Sequence, residues 1–253
     1  LAGGGEARAS TADFKSISPG IPYQHIRHAK IALDNNVKIG RNRLALNIGW
    51  QRNRREEFGN PDDLGERELF FDLKTVTYTS QFHFEEIRGW KPSIGINGMQ
   101  QNNSNHGAEQ LIPDYQMNDA GVYTFLQKEW KKSTISGGMR YDLRKMNVKD
   151  LLDGTDIKGA AFKRNFGNFS ASIGSTIGAG KNINIKLNLA RAYRAPSIPE
   201  LASNGSHEGT SRYEYGDKNL KSETSIQSDA GIEFSNEHFS LNLAAYYNHF
   251  SNF

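Results

Sequence analysis

The sequence contains no cysteine, which excludes disulfide bonds, thiolate metal sites and cysteine nucleophiles. It also has no run of about 18 apolar residues, so no membrane-spanning helix is predicted. The hydrophobic share is 36% and the mean hydropathy is −0.67, yet 11% of the residues are aromatic, which argues against disorder. The net charge of +3 is too small and too dispersed to predict nucleic-acid binding.

Catalytic motifs are absent as well. The sequence has no G-x-S-x-G nucleophile elbow and no H-E-x-x-H zinc motif. The glycine-rich stretch LAGGGEA lacks the Lys-Ser/Thr pair of a phosphate-binding loop, and Asp62 and Asp63 lack the spacing of an EF-hand. We therefore predict that the chain is not an enzyme and requires no cofactor.

What the sequence does contain is alternation of apolar and polar residues. In INIKLNLA, Ile183, Ile185 and Leu187 share one face of an extended chain, while Asn184 and Lys186 share the other. Ten segments follow this pattern and are predicted to be strands: His25–Asp34, Arg43–Asn53, Leu69–Phe84, Lys91–Gln101, Ala120–Lys131, Thr134–Met146, Phe166–Ile177, Asn182–Arg194, Thr224–Phe234 and Phe239–Phe250. Within the third segment the phase changes near Thr75, which predicts a β-bulge.

The connections between these segments alternate in length. The short ones are NNVKIGRN, EEIRGW, KKS, GAGK and SNEH, and the long ones include RREEFGNPDDLGERE, NNSNHGAEQLIPDYQMND and NVKDLLDGTDIKGAAFKR. Short turns at one end and long loops at the other are typical of an up-and-down transmembrane β-barrel, whose strands need only alternate apolar residues. A soluble β-sandwich also alternates and stays the alternative, although its turns would not sort so regularly.

Charged residues lie on the polar face of the predicted strands. They are Arg140, Asp142, Arg144, Lys186, Asp229 and Glu233. If the apolar face contacts lipid, these side chains line a lumen that is filled with water or with another protein element. The pattern thus predicts a channel or a plugged transporter.

The longest connection carries a motif that identifies a family. YRAPSIPEL, then NGSHEG, then RYEYGDKNLKSE resemble the boxes of TonB-dependent outer-membrane receptors. IPYQHIRH, LNIGWQRNRREEF and AAYYNHFSNF also resemble barrel segments of these receptors. The residues of this chain that match the family motif are Tyr193, Arg194, Ala195, Pro196, Glu200, Gly216, Asp217, Asn219, Leu220 and Glu223.

The resemblance implies an all-β fold in which residues 1–253 supply about ten antiparallel strands of a larger plugged barrel. The chain begins at Leu1 and ends within a strand-like run, so we expect a central or C-terminal part that lacks the plug domain and both ends of the full chain. The implied location is the outer membrane of a Gram-negative bacterium. The implied partners are outer-membrane lipid, a small metal-containing ligand and the TonB complex, reached through the absent N-terminal part.

The resemblance also suggests the ligand class. Haem receptors carry a box like FRAP, a box like NPNL and a ligand histidine between them; here Tyr193 replaces the phenylalanine, and Asp217 and Lys218 replace Asn-Pro. The sequence of the two boxes favours a zinc or haem receptor, and a siderophore receptor stays an alternative. His207 lies between the boxes and is the candidate metal ligand.

Three further residues complete the candidate ligand site. Glu208 could add a carboxylate beside His207, and Tyr213 could stack on an aromatic ligand. His106 lies in another long loop on the same predicted side. The predicted function is energised import of a metal ion, siderophore chelate or haem; a passive porin-like channel and a soluble β-rich binding module are the alternatives.

Overall fold

A computed structural model of the chain describes residues 10–17, 20–60, 62–207 and 212–252. Nearly all of the secondary structure is β. The elements are α1 (Thr11–Lys15), β1 (Tyr23–Ile39), β2 (Asn42–Phe58), β3 (Leu69–His83), β4 (Trp90–Asn105), β5 (Tyr115–Trp130), β6 (Ser133–Val148), β7 (Leu151–Asp153), β8 (Asp156–Gly159), β9 (Phe162–Gly178), β10 (Ile183–Arg194), α2 (Ile198–Ala202), β11 (Asn204–His207), β12 (Arg212–Tyr215), β13 (Glu223–Ser235) and β14 (Ser240–Ser251).

Ten of these strands form one antiparallel sheet. Its order is β1-β2-β3-β4-β5-β6-β9-β10-β13-β14, so each long strand pairs with the next long strand along the chain. The hairpins β7–β8 and β11–β12 stand apart within two of the long connections. The sheet does not close within the described residues, and the predicted fold class, a partial up-and-down barrel, is confirmed.

All ten predicted strands are present, and most extend further than their apolar positions indicate. β1 runs to Ile39, so the predicted connection NNVKIGRN is wrong for most of its length, and only Gly40 and Arg41 turn the chain. Asn35 and Asn36 have low strand propensity, but their backbones pair with Leu46 and Ala45 of β2. Ladder pairing with an adjacent strand therefore overrides local propensity here.

The two faces of the sheet differ as the alternation predicts. On β10, Leu187 and Leu189 are half exposed on the apolar face, and Ile173 of β9 lies beside them in register. On the polar face of the same strand pairs, Lys186 contacts Glu233 (2.5 Å), and Asn188 donates to Asp229 (3.0 Å). A sheet with large apolar side chains on its open outer face is suited to lipid contact.

The predicted bulge near Thr75 is wrong. Residues pair without interruption between β2 and β3, with Thr75 opposite Gln51 and Val76 opposite Trp50. What changes along β3 is the exposure of its side chains. Val76 is exposed on the apolar face, whereas Leu69, on the opposite face, and Phe70, on the same face as Val76, are both buried. Both faces of the strand are therefore sheltered at its long-loop end, and the apolar alternation is lost there.

Among the described residues, no helix is both long enough and apolar enough to span a membrane.

Candidate functional site

The first family box ends β10 and starts α2. Ser197 is the N-cap residue: its hydroxyl accepts from the backbone N–H of Glu200 (3.5 Å), and Glu200 Oε2 accepts from the backbone N–H of Ser197 (2.8 Å). Pro199 lies in the first turn, where its missing N–H costs no helical hydrogen bond. Sequence reasoning missed this helix, although Ser-x-x-Glu is the signature of a capping box.

Helix α2 folds back onto the polar face of the sheet. Ile198 is 3% exposed and Leu201 is 2% exposed. They pack against a cluster from β5, β6 and β9: Met117, Met146, Val148 and Phe166. Burying each of these two aliphatic side chains contributes about 1.5–3 kcal/mol. The long connection therefore begins by turning inward over the inner wall.

Arg194 joins three parts of this region. Its Nε donates to Glu223 Oε2 (2.9 Å), and its Nη2 donates to the other oxygen of the same carboxylate. Its Nη1 donates to Glu200 Oε2 (2.8 Å). The end of β10, the helix and the start of β13 are thus connected through one guanidinium.

The ion pair with Arg194 changes the acidity of Glu200. The hydrogen bond from Arg194 is the largest cause that lowers the pKa of Glu200, which falls to about 2, and bonds from Ser197 add to it. The Glu200 carboxylate is therefore charged at neutral pH, as its contact with Arg194 requires.

The second family box closes over the helix. The backbone N–H of Gly216 donates to Ser203 O (2.7 Å), and that of Asp217 donates to Glu200 O (2.8 Å). A Cβ added at Gly216 would lie 2.5 Å from the backbone nitrogen of Ala202. Because that neighbour is backbone, only glycine permits the approach.

The rest of the second box is a turn held to the barrel wall. Asp217 Oδ1 accepts from the N–H of Asn219 (2.8 Å), which is an Asx turn. Arg164 of β9 donates to the carbonyls of Lys218 and Leu220, the latter at 2.7 Å. The matched family residues therefore hold the connection between β10 and β13 against the inner wall of the sheet. Together with Arg164, which the motif does not include, we call them the clasp.

A polar groove of about 550 Å³ lies on the inner face next to the start of this connection. Arg144 forms a two-point contact with Asp119 (2.8 and 2.7 Å), and Arg140 contacts Asp142. The Oδ1 atom of Asn97 is buried without a partner among the described residues. Tyr193, Arg194 and Ala195 also line the groove. These groups are well placed to contact a polar ligand or a protein element inside the barrel.

The candidate ligand residues lie beyond the clasp, on the hairpin β11–β12. The backbone of His207 pairs with Arg212, but its side chain and all of Glu208 lie outside the described residues. Tyr213 is 65% exposed, and its hydroxyl donates to Asn204 Oδ1 (2.5 Å). The hairpin thus presents at least one accessible aromatic ring.

His106 lies on a neighbouring loop. It is exposed, and its ring lies 5.2 Å from that of Phe70. The same loop reaches the hairpin, because the N–H of Asn204 donates to Leu111 O (3.3 Å). Within the described ranges, no three histidines or carboxylates are grouped to hold a metal ion. That the side chains of His106 and His207 lie close together stays a prediction.

Comparison with known proteins places this geometry in a family. The family described as TonB dependent receptor-like, β-barrel, matches residues 7–253. Among solved structures, the hemophore receptor HasR of Serratia marcescens, solved with its hemophore HasA and heme, has a TM-score of 0.70 at 15% identity, covering 91% of this chain and 40% of that chain.

Two iron-related structures are similar as well. The FrpB iron transporter of Neisseria meningitidis has a TM-score of 0.66 at 16% identity over 90% of this chain and 36% of that chain. The ferric yersiniabactin uptake receptor FyuA of Yersinia pestis has a TM-score of 0.59 at 14% identity, again over 90% of this chain and 36% of that chain. The chain thus spans about two fifths of the length of these proteins, and it belongs to the TonB-dependent receptor β-barrel family.

Proposed function

We propose that this chain is the ligand-capturing part of the barrel of an outer-membrane importer, and that the imported ligand contains a metal. The observation that carries the proposal is the clasp: Arg194 and α2 fix the connection between β10 and β13 to the inner wall. The clasp holds the hairpin β11–β12 beside the loop between β4 and β5. Two long loops thereby converge at one end of the barrel.

The orientation of the barrel supports this assignment. In outer-membrane barrels, short turns face the periplasm and long loops face the outside. All the connections that carry the clasp, the hairpin and His106 are at the long-loop end. We therefore place the capture surface outside the cell, with the polar face of the sheet lining the way inward.

The ligand would be a metal ion, a siderophore chelate or haem. The similar structures are a hemophore receptor solved with heme, an iron transporter and a ferric yersiniabactin uptake receptor. His207 would ligate the metal, Glu208 would add a carboxylate and Tyr213 would stack on an aromatic part of the ligand, with His106 contributing from the adjacent loop. The metal is cargo, no covalent chemistry is required, and the TonB complex would supply the energy.

Uptake by cells tests the proposal. Cells that carry the intact receptor are given labelled zinc, haem, cobalamin and ferric siderophores, with and without a functional TonB complex. We expect uptake of one of these ligands, and we expect it to stop without TonB. Uptake that persists without TonB would indicate a passive channel, and uptake of none would contradict the proposal.

A substitution then tests the ligand site. Loss of an imidazole ligand is expected to weaken binding of the cognate ligand at least about tenfold in His207→Ala. The matched control is His238→Ala in the short turn between β13 and β14, at the opposite end of the barrel. Equal affinity in the two variants would remove His207 from the site.

A further inference from the structure

The apolar face of the sheet carries one feature that ligand import does not use. Over β10 and β13 this face holds only uncharged side chains apart from Arg191, and the charges of the same face on β6 and β9, Lys145 and Lys163, lie further towards the long loops. Arg191 follows Leu187 and Leu189 on β10, opposite Ala171 of β9 and Ile226 of β13. The exposed side chains of Phe169, Tyr141 and Leu143 lie one or two ladder steps further towards the long loops, so Arg191 lies just inside the long-loop edge of an apolar band.

Beside Arg191 the apolar face is indented. The groove has a volume of about 620 Å³ and lies between Leu126, Met139, Ile173 and Ile226. Ala171 contributes only a methyl group to it, and Gly137 contributes no side chain, since an added Cβ there would meet the backbone oxygen of Ser172 at 2.9 Å. Small residues between large ones leave a depression wide enough for an acyl chain.

The charge of Arg191 has no counter-ion in the described part of the chain. Its Nη1 donates to the backbone oxygen of Phe169, which holds the guanidinium over the groove. By contrast, Arg140, Arg144 and Arg194 on the polar face each contact a carboxylate. A guanidinium at a lipid boundary is complementary to phosphate, which it can bind through two parallel hydrogen bonds.

We infer that this groove and Arg191 bind a phosphorylated glycolipid of the lipid A type, with an acyl chain in the groove and a phosphate on the guanidinium. The choice of lipid follows from the level of Arg191. It lies near the long-loop end of β10, which faces the outside in the proposed orientation, and phosphorylated glycolipid forms the outer leaflet of an outer membrane. An arginine near this boundary costs less than one at the bilayer midplane, where the cost is about 2–4 kcal/mol.

The test uses the intact receptor in detergent, freed of native lipid, and native mass spectrometry with three probes. These are bisphosphorylated lipid A, the same lipid with its phosphates removed, and phosphatidylglycerol. We expect one bound lipid A, with weaker binding of both other probes. Equal binding of the dephosphorylated lipid, or of phosphatidylglycerol, would overturn the inference.

Variants locate the site on the molecule. Arg191→Gln is expected to weaken lipid A binding about tenfold, the effect of losing one charge-assisted contact, and to abolish the preference for phosphate. Lys163→Gln removes a charge from the same face of β9, further from the band, and is expected to bind normally. If both variants bind equally well, Arg191 is not the phosphate contact.

A second pair of substitutions tests whether the acyl chain lies in the groove. Ala171→Phe fills it and is expected to weaken both forms of lipid A, while Val122→Phe, on the apolar face of β5 outside the groove, is expected to weaken neither. Equal effects would show that the acyl chain binds elsewhere. Protease access to the long loops on whole cells reports the orientation separately, so a failed orientation is distinguishable from a failed lipid site.

Discussion

At the scale of single residues, Arg194 connects the end of β10 to both α2 and the start of β13. Its planar guanidinium presents donors in fixed directions, and here they reach two carboxylates from different elements. Lysine offers a single flexible ammonium and cannot reproduce this arrangement. The side chain of Arg194 is 52% exposed, so solvent screens the pairs and their role is to fix geometry more than to supply stability.

We therefore predict that Arg194→Ala loosens the connection without unfolding the barrel. Hydrogen exchange of peptides from residues 195–222 should become faster, while peptides from β10 and β13 keep their protection. Arg194→Lys should restore only part of the slow exchange. Arg41→Ala, in the turn between β1 and β2, is the control, and a loop that exchanges equally in all variants would contradict the prediction.

The low pKa of Glu200 predicts how the clasp responds to acid. Because the folded pKa of about 2 is below the ordinary value of 4.5, the ionised carboxylate stabilises the clasp fully above pH 4.5. This contribution is lost as the pH falls from 4.5 towards 2. Exchange of residues 195–222 should accelerate over that range in the native protein. In Glu200→Gln the change should be smaller, and an equal acid response would exclude Glu200 as its source.

At the scale of elements, burial outweighs the ion pairs in holding α2. Ile198 and Leu201 are almost fully buried against side chains of three strands, whereas Arg194 and Glu200 are partly exposed. A large-to-small substitution at such a buried site typically costs 2–5 kcal/mol, which exceeds what exposed ion pairs contribute. The helix is therefore the main anchor of the connection.

Leu201→Ala should consequently destabilise the docked loop by about 2–4 kcal/mol, and more than Arg194→Ala does. Leu220→Ala is the matched control, because Leu220 is 38% exposed and should cost less than about 1 kcal/mol. Local opening free energies from hydrogen exchange measure both. If Leu220→Ala proves as costly as Leu201→Ala, burial of α2 is not the main anchor.

We expect the second box to keep its position only with glycine at position 216. A Cβ there would enter the backbone of α2, so Gly216→Ala should displace the box and cost about 1–3 kcal/mol. Gly231→Ala in β13 is the control, because its Cβ would meet Leu243 O at an ordinary 3.5 Å. Proteolysis between residues 203 and 222 should be faster only in Gly216→Ala.

The long strands could be predicted from the sequence, whereas helix α2 could not. The ten long strands follow directly from alternation, because each has a lipid-suited face and a polar face. The inward turn of α2 could not be predicted, since five residues are too short for helical periodicity, although Ser197 and Glu200 carried a capping signal. The strand ends extend further because their backbones pair above and below the apolar band, where side-chain pattern gives no guide.

At the scale of the whole molecule, the candidate ligand site was the least accessible to sequence reasoning. His207 and His106 are separated by 101 positions, and nothing local to either one reports whether they meet. The structure brings their elements together through Asn204 and Leu111. The family boxes, in contrast, prove to be the clasp that positions the hairpin, so the motif marks the support of the proposed site rather than its ligands.

The most direct test of the account is ligand protection mapped over the intact receptor. Zinc, haem, cobalamin and ferric siderophores are each titrated while hydrogen exchange is followed along the chain. If the long loops capture the ligand, one of these ligands should slow exchange in residues 195–222 and 106–114 and leave the short turns at 40–41, 84–89 and 236–239 unchanged. Protection confined to the short turns, or no protection by any of these ligands, would contradict it.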